Sequence, residues 1–101
     1  MNLTFKEKDS LVRFVFRQQK EIVFRQKNSL QDPQVPYEVS EKLKNQIQCA
    51  YELCSTDVRD FLRQEYMEGN PTDWWMEYYS RSSYYRIKGK AMDEFLHCLQ
   101  G

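Results

Sequence analysis

Apolar residues recur at helical spacing along most of the chain. In the first stretch, from about Asp9 to Lys27, Leu11, Phe14, Val15, Ile22 and the Gln18/Gln19 pair approximate one helical face. Leu11–Phe16 and Ile22–Phe24 also have the β-branched and aromatic content of two short strands. No Gly, Pro or Asn lies between them to turn a hairpin, so a helix is the preferred reading. Phe14, Phe16 and Phe24 cannot share one narrow stripe, which predicts a helix that packs on two sides or meets a second subunit.

The segment Asn28–Pro36, bounded by Pro33 and Pro36, reads as a linker. A second helix is expected from Tyr37 to Cys54, with Val39, Leu43, Ile47, Ala50, Tyr51 and Cys54 on one side and Glu41, Lys42, Lys44, Asn45 and Gln48 outward. Ser55 or Thr56 caps a third, which carries Asp57 in its first turn and Val58, Phe61, Leu62 and Tyr66 on or near one face. Gly69 stops it. Asn70-Pro71, with Asp73 following, predicts a short helix through Trp74, Trp75 and Tyr78. Ser80 opens the last helix, whose stripe is Tyr84, Ile87, Ala91, Phe95 and Cys98. The expected fold is all-α: one domain over 1–101, with an N-terminal helix and linker in 1–36 and a helical core in 37–101. A helix-turn-helix is expected at about 55–99.

Charge sharpens this picture. Fifteen basic and fifteen acidic residues cancel, but residues 1–27 carry +4, and Arg81, Arg86, Lys88 and Lys90 form a basic run with no acid among them. No stretch approaches the ~20 apolar residues of a membrane span, and the first residues lack the apolar run of a signal peptide, so a cytoplasmic protein is expected. Three glycines and three prolines favour long helices over a turn-rich β fold. Cys49, Cys54 and Cys98 fit no four-ligand zinc pattern and read as buried thiols. His97, the single histidine, is followed directly by Cys98, and adjacent helical side chains diverge by about 100°, so they form no nucleophile–base pair. No catalytic residue, metal site or cofactor is expected.

The string EYMEGNPTDWWMEYYSRSSYYRIKGKAMDEFL resembles the fourth-region helix-turn-helix of sigma factors and related phage late-gene regulators. Ser80, Ser82 and Ser83 match the opening of the recognition helix, Tyr84 its inward apolar position, Arg86 its DNA-facing side and Ala91 its close-packed alanine. The same region, around WWMEYYSRSSYYR, is similar to uncharacterised small helical proteins of low-GC bacteria. The first resemblance implies a transcriptional regulator that binds double-stranded DNA, with promoter or polymerase contact. In the major groove, Ser82, Ser83, Tyr85 and Arg86 would meet base edges or nearby phosphates, and Arg81, Lys88 and Lys90 would meet phosphates. Arg59 and Arg63 would touch the backbone from the preceding helix. A homodimer through the N-terminal helix would double the contacts. The competing expectation is an all-helical interaction module without DNA binding, which contacts a regulator or RNA polymerase through the Phe14–Phe24 and Trp74–Tyr79 aromatics. Exposed aromatics favour the module, and a continuous basic surface joining Arg81, Arg86, Lys88 and Lys90 favours DNA.

Overall fold

A computed structural model describes residues 2–27 and 37–100 of the protein. The expected linker, Asn28–Pro36, lies outside the described residues. The fold is all-α. Helix α1 spans Phe5–Lys27, α2 Tyr37–Leu53, α3 Thr56–Leu62 and α4 Arg81–Gln100. Between α3 and α4 lie a π-helical turn, Arg63–Met67, and a 3-10 turn, Trp74–Glu77.

Helix α1 begins four residues before the apolar stripe suggested, because Thr4 and Glu7 form a capping box. The Thr4 amide donates to the Glu7 carboxylate at 2.9 Å, and the Glu7 amide donates to Thr4 Oγ1 at 3.1 Å. Phe5 is thereby made helical and laid across α4, its ring 5.8 Å from that of Tyr85. The strand alternative for residues 11–24 is replaced by continuous helix.

The long α3 expected from the sequence is two elements. After Leu62 the helix widens into the π turn, which carries both Glu65 and Tyr66 toward the bundle interior. Gly69 ends it at φ +70, a left-handed conformation that glycine adopts at little cost. Asn70 does not cap the next helix as expected. Its amide instead donates back to the Gln64 carbonyl at 3.0 Å. The short helix expected through Tyr78 is correspondingly a single 3-10 turn. Ser80 performs its expected role, accepting from the Ser83 amide at 3.2 Å.

Side-chain pairs give the packing directions. Gln19 meets Gln48 and Gln26 meets Glu41, so α1 and α2 are antiparallel. Phe5 meets Tyr85 and Phe16 stacks on Phe95 at 4.7 Å, so α1 runs parallel to α4. Phe16 is the centre of the core: its ring also faces Tyr51 at 6.5 Å and Tyr66 at 6.0 Å, so it touches α2, α4 and the π turn at once. Val12, Ile47, Ala50, Cys54, Val58, Phe61, Leu62, Tyr84, Ala91 and Met92 complete the buried cluster.

Gly89 lies inside α4, where glycine weakens a helix. A Cβ built there would meet only the edge of Phe5 at 3.7 Å, an ordinary contact, and its φ is not positive. Gly89→Ala is therefore expected to stabilise the protein by about 0.5–1 kcal/mol, read as a higher urea midpoint at unchanged slope. A destabilised variant would show that Phe5 needs the missing methyl's space.

Candidate functional site

The basic run at the start of α4 divides into residues that face solvent and residues that do not. Arg81, Ser82 and Arg86 are exposed, and Arg81 and Arg86 make no ion pair among the described residues. Tyr85 is partly covered by Phe5. Ser83 is half-buried and bonded to Ser80 Oγ at 2.9 Å. Lys90 is exposed but paired with Asp57 at 2.9 Å, a contact that lowers the Asp57 pKa to about 2. Arg59 reaches the Thr56 hydroxyl at 3.3 Å, and Arg63 pairs with Asp60 at 3.2 Å and Glu68 at 3.4 Å.

Lys88 departs furthest from expectation. It is 7% exposed and points into the bundle, away from any phosphate. Its ammonium lies 3.1 Å from both Asp9 on α1 and Glu65 on the π turn, and donates to the Tyr84 hydroxyl at 3.4 Å. The rings of Tyr84, Phe5 and Tyr66 surround it at 5.6, 5.8 and 6.0 Å. Tyr66 donates to Asp9 at 2.8 Å, Tyr84 donates to Glu65, and the Trp74 indole donates to the other Glu65 oxygen at 2.9 Å. Arg13, 3.2 Å from Asp9, brings a second cation, so two positive and two negative groups balance. Burial and then the bonds to Asp9 and Glu65 push the Tyr66 and Tyr84 hydroxyls far above their ordinary pKa, which keeps both protonated as donors. The sequence pointed to Tyr66, but Asp9 read only as the start of a helix. An acid at residue 9 and a lysine at residue 88 carry no local signal of each other.

The basic surface is thus broken up, and a different surface stands out at the other end of α4. There an open groove of about 890 Å3 runs between α1, α2 and the last turns of α4. Phe14, Val15, Leu43, Ile47, Leu53 and Leu99 supply its apolar lining; Gln18, Gln46, Cys49, Ala50, His97, Cys98 and Gln100 complete it. No Asp, Glu, Lys or Arg lines it. Phe14 is 56% and Leu53 67% exposed, large values for apolar side chains beside an apolar groove. Among the described residues no group of acidic, histidine or cysteine side chains is arranged to hold a metal, and no helix is long and apolar enough to cross a membrane. No family model, curated protein or solved structure matches the chain.

The Asp9 carboxyl links the network to pH. Burial alone would raise its pKa, but the Tyr66 and Lys88 hydrogen bonds outweigh that and hold it below 3.8. A folded value below the unfolded one stabilises the protein above the unfolded pKa, and that stability is lost as pH falls through the folded value. Asp9→Asn should therefore cost about 1–3 kcal/mol in urea unfolding at pH 7 and much less at a pH of about 2–3. Lys88→Met, which leaves Glu65 without a cation and Asp9 with Arg13 alone, should cost about 3–5 kcal/mol at pH 7. A pH-independent cost for Asp9→Asn would contradict an ionic role.

Proposed function

We propose that the chain is an all-helical interaction protein that docks through the groove between α1, α2 and the C-terminal turns of α4, and that the occupant is a second copy of itself. The observation that carries this reading is the uncharged apolar groove with Phe14 and Leu53 exposed beside it. A surface that meets its own copy across a twofold axis sets the same patch against itself, so a lining with one sign of charge would repel its copy. This lining has no fixed charge, and the whole chain has a formal net charge of zero, which removes long-range repulsion. Exposed knobs next to a groove are also the arrangement a self-complementary face needs: Phe14 and Leu53 of one copy fill the groove of the other.

A second reading, DNA binding by α4, is favoured by one observation: Arg81, Ser82, Tyr85 and Arg86 face outward along its first turns. At the standard helical rise about 24 Å separates Arg81 from His97, so docking at the groove leaves this surface uncovered on each copy. Against it stand the loss of Lys88 to the interior, the Lys90–Asp57 pair and the reduction of the expected second helix to one 3-10 turn.

Light scattering on a sizing column is expected to give a dimer mass at micromolar concentration, and Phe14→Asp/Leu53→Asp a monomer with an unchanged circular-dichroism spectrum. At least ~30-fold weaker association is the expected size of the effect. A wild-type protein monomeric up to ~100 micromolar would refute the second-copy assignment.

For the DNA reading, fluorescence anisotropy with mixed-sequence duplex should show micromolar binding that weakens with salt. The log–log salt slope should become shallower by ~2 in Arg81→Ala/Arg86→Ala. Absence of binding at low salt would remove that reading and leave the interaction reading standing.

A further inference from the structure

The outward face of α1 belongs to neither the groove nor the α4 basic run. Lys6, Arg13, Arg17 and Lys20 are all exposed, and steps of seven, four and three residues return them to one line along the helix, in a sector about 60° wide. Lys27, also exposed, continues the row, which runs about 31 Å. Val12 and Phe16, which face the core, lie about 70–110° round the helix on one side, and Phe14 and Gln18, which line the groove, about 90–130° round on the other. Arg13 shares Asp9 with Lys88 and lies over the Tyr66 ring at 5.1 Å. Lys6, Arg17, Lys20 and Lys27 make no ion pair among the described residues. We propose that this row docks on the phosphate backbone of duplex DNA and contacts it without reading its sequence.

Charge complementarity selects the partner. The chain as a whole is neutral, but the Debye length at physiological salt is about 8 Å, so the field beside a row this long is set by the row itself and its nearest acids. Of those acids, Asp9 is held by Tyr66 and Lys88, and Glu21 sits about 70° to the side. A duplex carries one negative charge per ~1.7 Å of its axis, so an extended row of cations meets phosphates in any register, and the Arg and Lys heads need no base edge to do so. A bilayer is a poorer fit, because a helix that lies in a membrane surface buries a continuous apolar face there, and the apolar face of α1 is already spent on the core. An acidic protein is a poorer fit as well: protein interfaces centre on an apolar or aromatic anchor, and between Lys6 and Lys20 the row offers only Ser10. Phe24 is the single aromatic on the line, too few to stack successive bases of a single strand. The surface is distinct from that of α4. Lys8, on the side of α1 that pairs with Asp93 of α4, lies about 150° round the helix from the row.

The row stands on its own geometry, whichever occupant the groove takes and whether or not α4 meets DNA. The test titrates the full chain into fluorescent mixed-sequence duplexes of two unrelated sequences across a salt series. Binding is expected to be equal for both sequences and to weaken with salt, and Arg17→Ala/Lys20→Ala should make the log–log salt slope shallower by ~2. Both side chains are exposed and outside the ionic network, so the circular-dichroism spectrum and urea midpoint of this variant should match the wild type. Arg17→Lys/Lys20→Arg, which keeps both charges, should keep the slope. Each double variant reports on its own face: a slope changed by Arg81→Ala/Arg86→Ala and not by Arg17→Ala/Lys20→Ala would overturn this proposal and leave the α4 reading in place, and the reverse would do the opposite. No binding at ~50 mM salt would also overturn it. So would adsorption to vesicles of phosphatidylglycerol and phosphatidylcholine by a protein that ignores the duplex, which would assign the row to a membrane surface instead.

Discussion

The placement of one ammonium group decides how this bundle closes. Lys88 would cost several kcal/mol to bury alone, and it is tolerated because two carboxylates, one hydroxyl and three ring faces meet it from different elements. Asp9 brings α1, Glu65 brings the π turn, and Tyr84 comes from α4 itself. Apolar contacts such as Phe16 on Phe95 tolerate small slips of one helix along another. Charged groups held at 3.1 Å on two sides do not. The network therefore fixes the register of α1 against α4, and the same register lays Phe5 over Gly89 and pairs Lys8 with Asp93 at 2.6 Å.

That fixed register separates two surfaces with different chemistry. At the N-terminal end of α4, Phe5 and the network cover the inward side, leaving a narrow outer face of arginine, serine and tyrosine. At the C-terminal end α1, α2 and the last turns of α4 leave an apolar trough between them. The groove and the arginine face are thus consequences of how one helix is seated.

Much of the fold was legible in the residues. Ser80 as a cap, Gly69 as a stop, the α2 boundaries and the inward stripe of α4 all rest on local patterns, and local patterns survive folding. The start of α1 was legible too, in the Thr4–Glu7 spacing, but the apolar periodicity drew attention four residues later. The π turn and the shortened 3-10 element were not legible, because both answer to tertiary demands: Glu65 and Tyr66 must turn inward together, and Trp75 must stack on Tyr84 at 4.4 Å. The candidate sites fared unevenly for the same reason. A lysine among arginines and serines looks like surface, and it takes acids 23 and 79 positions away in sequence to turn it inward. The groove needed three helices in place before it existed at all.

The pairing of the first helix with the last has a further consequence, for the order in which the chain can fold. Lys8 meets Asp93 across a sequence separation of 85 residues, while α3 and α4 are near neighbours in the chain. Closing so long a loop is entropically opposed until the contacts that reward it exist. During synthesis α1 can pair with α2 early, through Gln19–Gln48 and Phe16–Tyr51, but the sides of Phe5 and Phe16 that meet Tyr85 and Phe95 stay uncovered until α4 has been made. The second half can condense first, around Phe61, Tyr84 and Trp74, and α1 then docks as the closing step. A protein assembled in that order exposes the α4-facing apolar side of its first helix for longest, and it is most vulnerable to misassociation just before α1 and α4 meet.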